Sequence, residues 1–147
     1  MSSENGPHST RATVETFFRL LGERDADRVA DLFAEEIDWF VPGREDIPWA
    51  GRRSRRQQVP EYFITMWPVF VAGESEVAID QVVVEGADAV ALGHFTHTVK
   101  ANGRRFGTPV AMHLTVRDGQ IVRLHLYEDT QLAAEAIGTV GTPRQDF

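Results

Sequence analysis

Apolar residues recur at helical spacing in the first third of the chain and at alternate positions in the last half. Val14, Phe17, Phe18 and Leu21 predict a helix from Thr10 to about Leu21. Asp25 reads as the N-cap of a second short helix carrying Val29, Leu32 and Phe33. Ile37 to Val41 reads as a short strand stopped by Pro42-Gly43, with a loop through Ile47-Pro48-Trp49-Ala50-Gly51 after it. A third helix is expected from about Gln57 to Trp67, with Pro60 near its first turn and Pro68 at its end. Four strands follow, at 76–85, 89–101, 104–116 and 120–128, and a helical piece from Thr130 to Ile137 closes the pattern. Helices followed by an antiparallel meander is an α+β order. The expected architecture is a cone, with N-terminal helices packed on a strongly curved, mostly antiparallel sheet that encloses a pocket.

Two turn signals set the expected register. Asn102-Gly103 predicts a two-residue type I′ turn pairing Ala101 with Arg104, which puts His97 opposite Thr108. Arg117-Asp118-Gly119 predicts a three-residue loop pairing Val116 with Gln120, which puts Thr108 opposite Glu128. In that register Val110, Met112, Leu114, Val116, Val122, Leu124 and Leu126 share the core face. His97, Thr108 and Glu128 join them in one row, while His113, Thr115, Arg117, Arg123, His125 and Tyr127 point the other way. A carboxylate against an apolar wall has a raised pKa, and a histidine beside it makes an acid–base couple tuned near neutral pH. Glu128 in water at a strand end and His97 as a satisfied core histidine is the bland reading of the same pattern.

Composition narrows the function. The chain has 147 residues, enough for one domain with a real core, expected at 10–137 between loose tails at 1–9 and 138–147. A net charge of -7 disfavours a nucleic-acid surface. The basic run Arg52-Arg-Ser-Arg-Arg56 reads as a solvated loop, with contact to an anionic substrate or carrier as the alternative. With no cysteine, no apolar run long enough for a membrane span and no signal-peptide pattern, a cytoplasmic location without membrane contact is expected. The histidines alternate between faces, so no metal site is expected. No phosphate loop, nucleophile elbow or dinucleotide fingerprint is present, which points to cofactor-independent chemistry.

Other side chains sort by phase. Trp39 faces inward, Trp49 stands at the mouth, and Tyr62 on the third helix is placed to turn its hydroxyl inward. With Met112, Leu124 and Leu126 these would hold a flat apolar ligand; core packing is the alternative for Trp39. Asp38 and Asp129 have the outward phase, and Asp129 suits a helix cap. His94, His113 and His125 fall on the outer face.

The stretch Asp25-Ala-Asp-Arg-Val-Ala-Asp-Leu-Phe-Ala-Glu-Glu-Ile-Asp-Trp-Phe-Val-Pro-Gly43 resembles the nuclear transport factor two-like superfamily. Trp49-Ala-Gly51, Val116-Arg-Asp-Gly-Gln-Ile-Val122 and Tyr127-Glu-Asp-Thr130 add to the likeness. It is nearest to SnoaL-like polyketide cyclases and ketosteroid isomerase-related proteins and spans residues 10 to 137. The resemblance implies a cone with a deep pocket and a homodimer through the sheet's outer face. The acidic and tyrosine positions of ketosteroid isomerase align with Phe17, Met112 and Val41, none of which can move a proton, so that mechanism is not expected. The late-strand acid of related epoxide hydrolases aligns with Leu126, and Glu128 lies one inward step beyond it. The resemblance also implies that His97 with Glu128 would suit acid–base ring closure.

The sequence therefore supports an enzyme for an apolar, oxygenated small molecule, of cyclase, isomerase, hydratase or epoxide-opening type. Glu128 and His97 would trade the proton, and Tyr62 or Thr108 would orient an oxygen. A non-catalytic ligand-binding or dimeric scaffold module of the same fold is the alternative.

Overall fold

The computed structural model describes residues 9–138, so the expected tails fall outside the described residues except at Ser9 and Gly138. Both of those residues close helices. Ser9 Oγ accepts from the Ala12 N–H at 3.1 Å to cap α1 (Thr10–Gly22), and the Gly138 N–H donates to Ala134 O at the end of α4 (Thr130–Ile137). Helix α1 buries Val14 and Phe17 of the expected apolar set together with Leu20, while Phe18 and Leu21 are half-buried. Asp25 Oδ1 accepts from the Arg28 N–H and starts α2 (Ala26–Asp31), as its position predicts. Helix α3 spans Val59–Met66, shorter than expected, because single 3₁₀ turns at Arg56–Gln58 and Trp67–Val69 take its two ends.

Among the described residues six strands form one sheet in the order β2-β1-β6-β5-β4-β3. They are β1 (Phe33–Val41), β2 (Gly51–Arg55), β3 (Glu76–Glu85), β4 (Asp88–Thr98), β5 (Arg105–Arg117) and β6 (Gln120–Glu128). Neighbours are antiparallel except β1 and β6, which run parallel. The open sheet curves around the helices in an α+β cone. Its inner face buries Trp39, Met112, Leu114, Leu124 and Leu126 against α1 and α3. Among the described residues no helix is long and apolar enough to cross a membrane.

The basic run corrects one expectation. Residues 51–55 form the edge strand β2 rather than a loop, pairing with β1. Without β-branched or aromatic residues the segment has no strand signature, yet a charged edge strand discourages pairing with other chains. Its arginines are engaged locally: Arg55 lies 3.5 Å from Glu36, and Arg53 Nη1 donates to Trp49 O at 2.9 Å.

Both hairpins also depart from the expected register. The first is a four-residue loop, Lys100–Gly103, closed by Val99 N–H to Arg104 O and Gly103 N–H to Val99 O, each 2.8 Å. Of Asn102 and Gly103 only the glycine has positive φ, so no type I′ turn forms. Asn102 instead donates to Ala136 O on α4 and accepts from the Arg104 N–H. His97 therefore faces Phe106, and Phe95 faces Thr108. The second hairpin has a two-residue turn, Asp118-Gly119, both at positive φ, and pairs Arg117 with Gln120. A bulge at Val122 then shifts the ladder, so Ile121 is buried where Val122 was expected, and Glu128 faces Val110 rather than Thr108. The predicted row of His97, Thr108 and Glu128 does not exist. Each net shift is two residues, which leaves His97 and Glu128 on the inner face.

Candidate active site

A cavity of about 580 Å³ lies between the inner face of the sheet and helices α1, α3 and α4. That is room for a small organic molecule. Trp39, Trp49, Tyr62, Met112, Leu124 and Leu126 all line it, as do His97 and Glu128. Tyr62 meets Trp39 edge-on, with centroids 4.9 Å apart, and Met112 and Leu124 are brought to the wall by strand alternation. Thr108 is the exception. It is 1% exposed, and its hydroxyl donates to Pro109 O and accepts from the Asp129 N–H, both at 3.1 Å. With both roles filled, Thr108 ties β5 to the start of α4 and does not line the cavity.

Glu128 sits at the end of β6 and is half-buried. Among the described residues its carboxyl group has neither a hydrogen bond nor an ion pair. Burial first, and then the neighbouring Asp129 charge, push it up from 4.5 to about 7. Asp129 itself points elsewhere, capping α4 by accepting from the Leu132 N–H at 2.9 Å. The Glu128 charge also reaches Tyr62, whose hydroxyl is held protonated by burial first and by Glu128 second, with Arg53 opposing. Arg53 stands 5.5 Å over the Tyr62 ring. Trp39 Nε1 is buried without an acceptor. A buried unpaired donor is costly, and in a cavity wall a bound water or ligand is the usual partner.

His97 occupies a separate station. Its ring stacks on Phe70, with centroids 4.2 Å apart and planes 15° off parallel, and its Nδ1 lies 2.8 Å from Ser75 Oγ. Burial, then the charges of Arg24 and Arg105, lower its pKa from 6.5 to about 4. The imidazole is neutral across the physiological range, which corrects the expectation of a pair tuned together near neutral pH. No hydrogen bond or ion pair joins it to Glu128. The serine hydroxyl can donate to Nδ1 or accept from it, and Nε2 takes the complementary role toward a ligand.

Arg24 is the residue that sequence reasoning misses. Helix α1 ends in a Schellman arrangement, with Asp25 N–H to Leu20 O and Arg24 N–H to Leu21 O. Arg24 takes the left-handed position with φ 55°, where glycine is the usual occupant and a side chain costs about 1 kcal/mol. Its guanidinium lines the cavity and lies 5.1 Å over the Trp67 ring. A helix-terminal arginine is ordinary in a sequence, and no local signal reveals the left-handed backbone that directs it.

The outer face of the sheet carries two clusters of hydrogen-bonded acids and histidines. Asp38 accepts from His125 and Arg123, and Asp88 from Thr115 and His113; these bonds hold both carboxyls below the usual range. His94 lies 3.5 Å from Asp80. Among the described residues no three histidine, aspartate or glutamate side chains converge as metal ligands would.

The family model for a SnoaL-like domain matches residues 14–124. No curated protein matches the chain significantly. Solved structures share its fold. An NTF2-like protein from Burkholderia thailandensis is 20% identical with a TM-score of 0.77, over 88% of this chain and 97% of that one. An NTF2-like protein of unknown function from Burkholderia pseudomallei is 22% identical with a TM-score of 0.79, over 87% and 96%. TerC, co-crystallised with polyporic acid, is 17% identical with a TM-score of 0.77, over 87% and 97%. At these identities the likeness establishes the fold.

Proposed function

The chain belongs to the family of SnoaL-like domains, and on that footing we propose that it is a small enzyme that moves a proton on an apolar, oxygenated substrate, with Glu128 as the proton carrier. One observation carries this reading: an unpaired carboxyl group on the wall of an apolar cavity, raised to about 7. Near neutral pH such a group is populated in both forms, so it can take a proton and return one. A C–H bond next to a substrate carbonyl would break, its proton passing to the Glu128 carboxylate and its electrons to the carbonyl oxygen. The Tyr62 hydroxyl, kept protonated beside Glu128, is suited to donate to that oxygen as charge develops. Return of the proton from Glu128 to another atom completes an isomerisation; attack of the enolate on a second carbonyl carbon closes a ring. His97, neutral and anchored by Ser75, would position substrate through Nε2 rather than carry the proton. Trp39 and Trp49 would hold the apolar body.

The absence of a hydrogen-bonded relay between His97 and Glu128 favours a second reading, a non-catalytic small-ligand carrier. Deuterium exchange at the α-carbons of 2-tetralone in D₂O, followed by proton NMR, separates the two. Catalytic exchange by the native protein, reduced about 100-fold or more in Glu128→Gln, supports the enzyme. Equal rates in both proteins would overturn it.

A further inference from the structure

We propose that Arg24 is the anchor for a carboxylate on the ligand, so that the cavity takes apolar molecules carrying one carboxylate group. The proposal rests on the small-molecule reading of the cavity given above and names the chemical class of its occupant.

Arg24 lines the cavity, its Nη2 is buried without an acceptor, and among the described residues its side chain has no ion pair. A guanidinium is always charged, and burial without a counter-charge is unfavourable. The acids beside it in sequence are committed elsewhere. Glu23 pairs with Arg19 at 3.2 Å and Arg28 at 3.6 Å, and Asp25 Oδ1 caps α2 through the Arg28 N–H. Among the described residues Glu128 is the one carboxyl group lining the cavity, and it makes no ion pair with Arg24. The Trp67 ring lies 5.1 Å from the guanidinium carbon and leaves Nη2 without an acceptor.

The backbone gives a second, independent reason. At position 24 the chain ends helix α1 in the left-handed conformation that glycine adopts freely. An arginine there works against the fold, and its presentation to the cavity is what the strained position achieves. A planar guanidinium matches a carboxylate through two parallel hydrogen bonds. The remaining lining around Arg24, including Phe18, Leu21, Trp67 and Phe70, suits the apolar body of the ligand.

Calorimetric titration with 2-naphthoate and 2-naphthamide tests the assignment, since the two differ chiefly in charge. The native protein is expected to bind naphthoate at least about tenfold more tightly, the size of one charge-assisted hydrogen-bonded contact. Arg24→Met and Arg24→Gly should both erase that preference. Arg24→Gly also removes the backbone conflict, so it should melt at a higher temperature than the native protein while losing the carboxylate. Equal binding of the two probes, no binding of either at millimolar concentration, or a preference that survives both substitutions would overturn the proposal. Glu128→Gln should keep the naphthoate preference. Tetralone exchange lost in Glu128→Gln with naphthoate selectivity preserved in Arg24→Met would thus defeat the anchor alone, and exchange unchanged in Glu128→Gln with selectivity lost in Arg24→Met would defeat the catalytic reading alone.

Discussion

The imidazole of His97 lies flat against the ring of Phe70, with centroids 4.2 Å apart, while its Nδ1 meets Ser75. The stack removes one face of the ring from water and makes burial the leading cause of its lowered pKa. Phe70→Ala opens that face, so the His97 pKa should climb from about 4 toward 6.5. Arg24→Met should raise it less, because the Arg24 charge is the second cause. Titration of the His97 Cε1 proton by NMR reads both shifts. An unchanged value in Phe70→Ala would show that the stack does not control the ring.

Glu128 and His97 should impose opposite slopes on stability. The Glu128 pKa is raised on folding from 4.5 to about 7, so the folded chain holds the extra proton in that window. Its contribution is present below about 4.5 and is lost as pH rises through 7. The His97 pKa is lowered, so its contribution is present above 6.5 and is lost as pH falls toward 4. The two partly cancel in the native protein. Glu128→Gln should flatten the loss on the alkaline side and be the more stable protein at pH 8, and His97→Asn should flatten the loss on the acid side. Urea unfolding at several pH values checks both. A native-like pH profile in Glu128→Gln would show that this carboxyl group is not raised.

Strand alternation reveals the cavity, whereas contacts distant in sequence decide its detail. Met112, Leu124, Leu126 and Glu128 follow a period of two, and that period survives a register error of two residues, so their inward phase is legible. The row through Thr108 is not. It depends on Asn102 forming a tight turn, and Asn102 is recruited by Ala136, 34 residues away. Val122 likewise reads as core by alternation until a bulge hands its place to Ile121. Strand β2 carries arginines where a strand signature would need apolar alternation. Arg24 is hidden for a different reason: its importance lies in a backbone angle and in missing partners, neither of which residue type encodes.

Gly93 on β4 pairs with Ile79 on β3, beside the bulge at Ile79–Gln81. A Cβ at this position would lie 2.0 Å from Ala78 O and 2.9 Å from Ile79 Cα, both backbone atoms with little freedom to yield. Gly93→Ala should therefore cost on the order of 3 kcal/mol, at the upper end of ordinary substitutions. Gly22→Ala, with nothing within 4 Å of its added Cβ, is the control and should be close to neutral or stabilising. Denaturant midpoints for the two variants make the comparison. Equal midpoints would mean that the strands separate at little cost.

The outer face of the sheet is expected to join two copies of the chain. Asp38 with His125 and Arg123, and Asp88 with His113 and Thr115, hold this face in hydrogen-bonded order. Tyr127 stands among them 57% exposed, the kind of aromatic that protein interfaces bury. A twofold arrangement would set the same patch against itself, so any charge introduced there appears twice at close range. Sedimentation equilibrium should give about twice the 16.5 kDa of one chain, and Tyr127→Glu should return the mass to that of a monomer. The His97 pKa should stay where it is in that variant, because the imidazole stands on the opposite face. A native protein that sediments as a monomer at micromolar concentration would rule the arrangement out, and a dimer that survives Tyr127→Glu would move the contact to another surface.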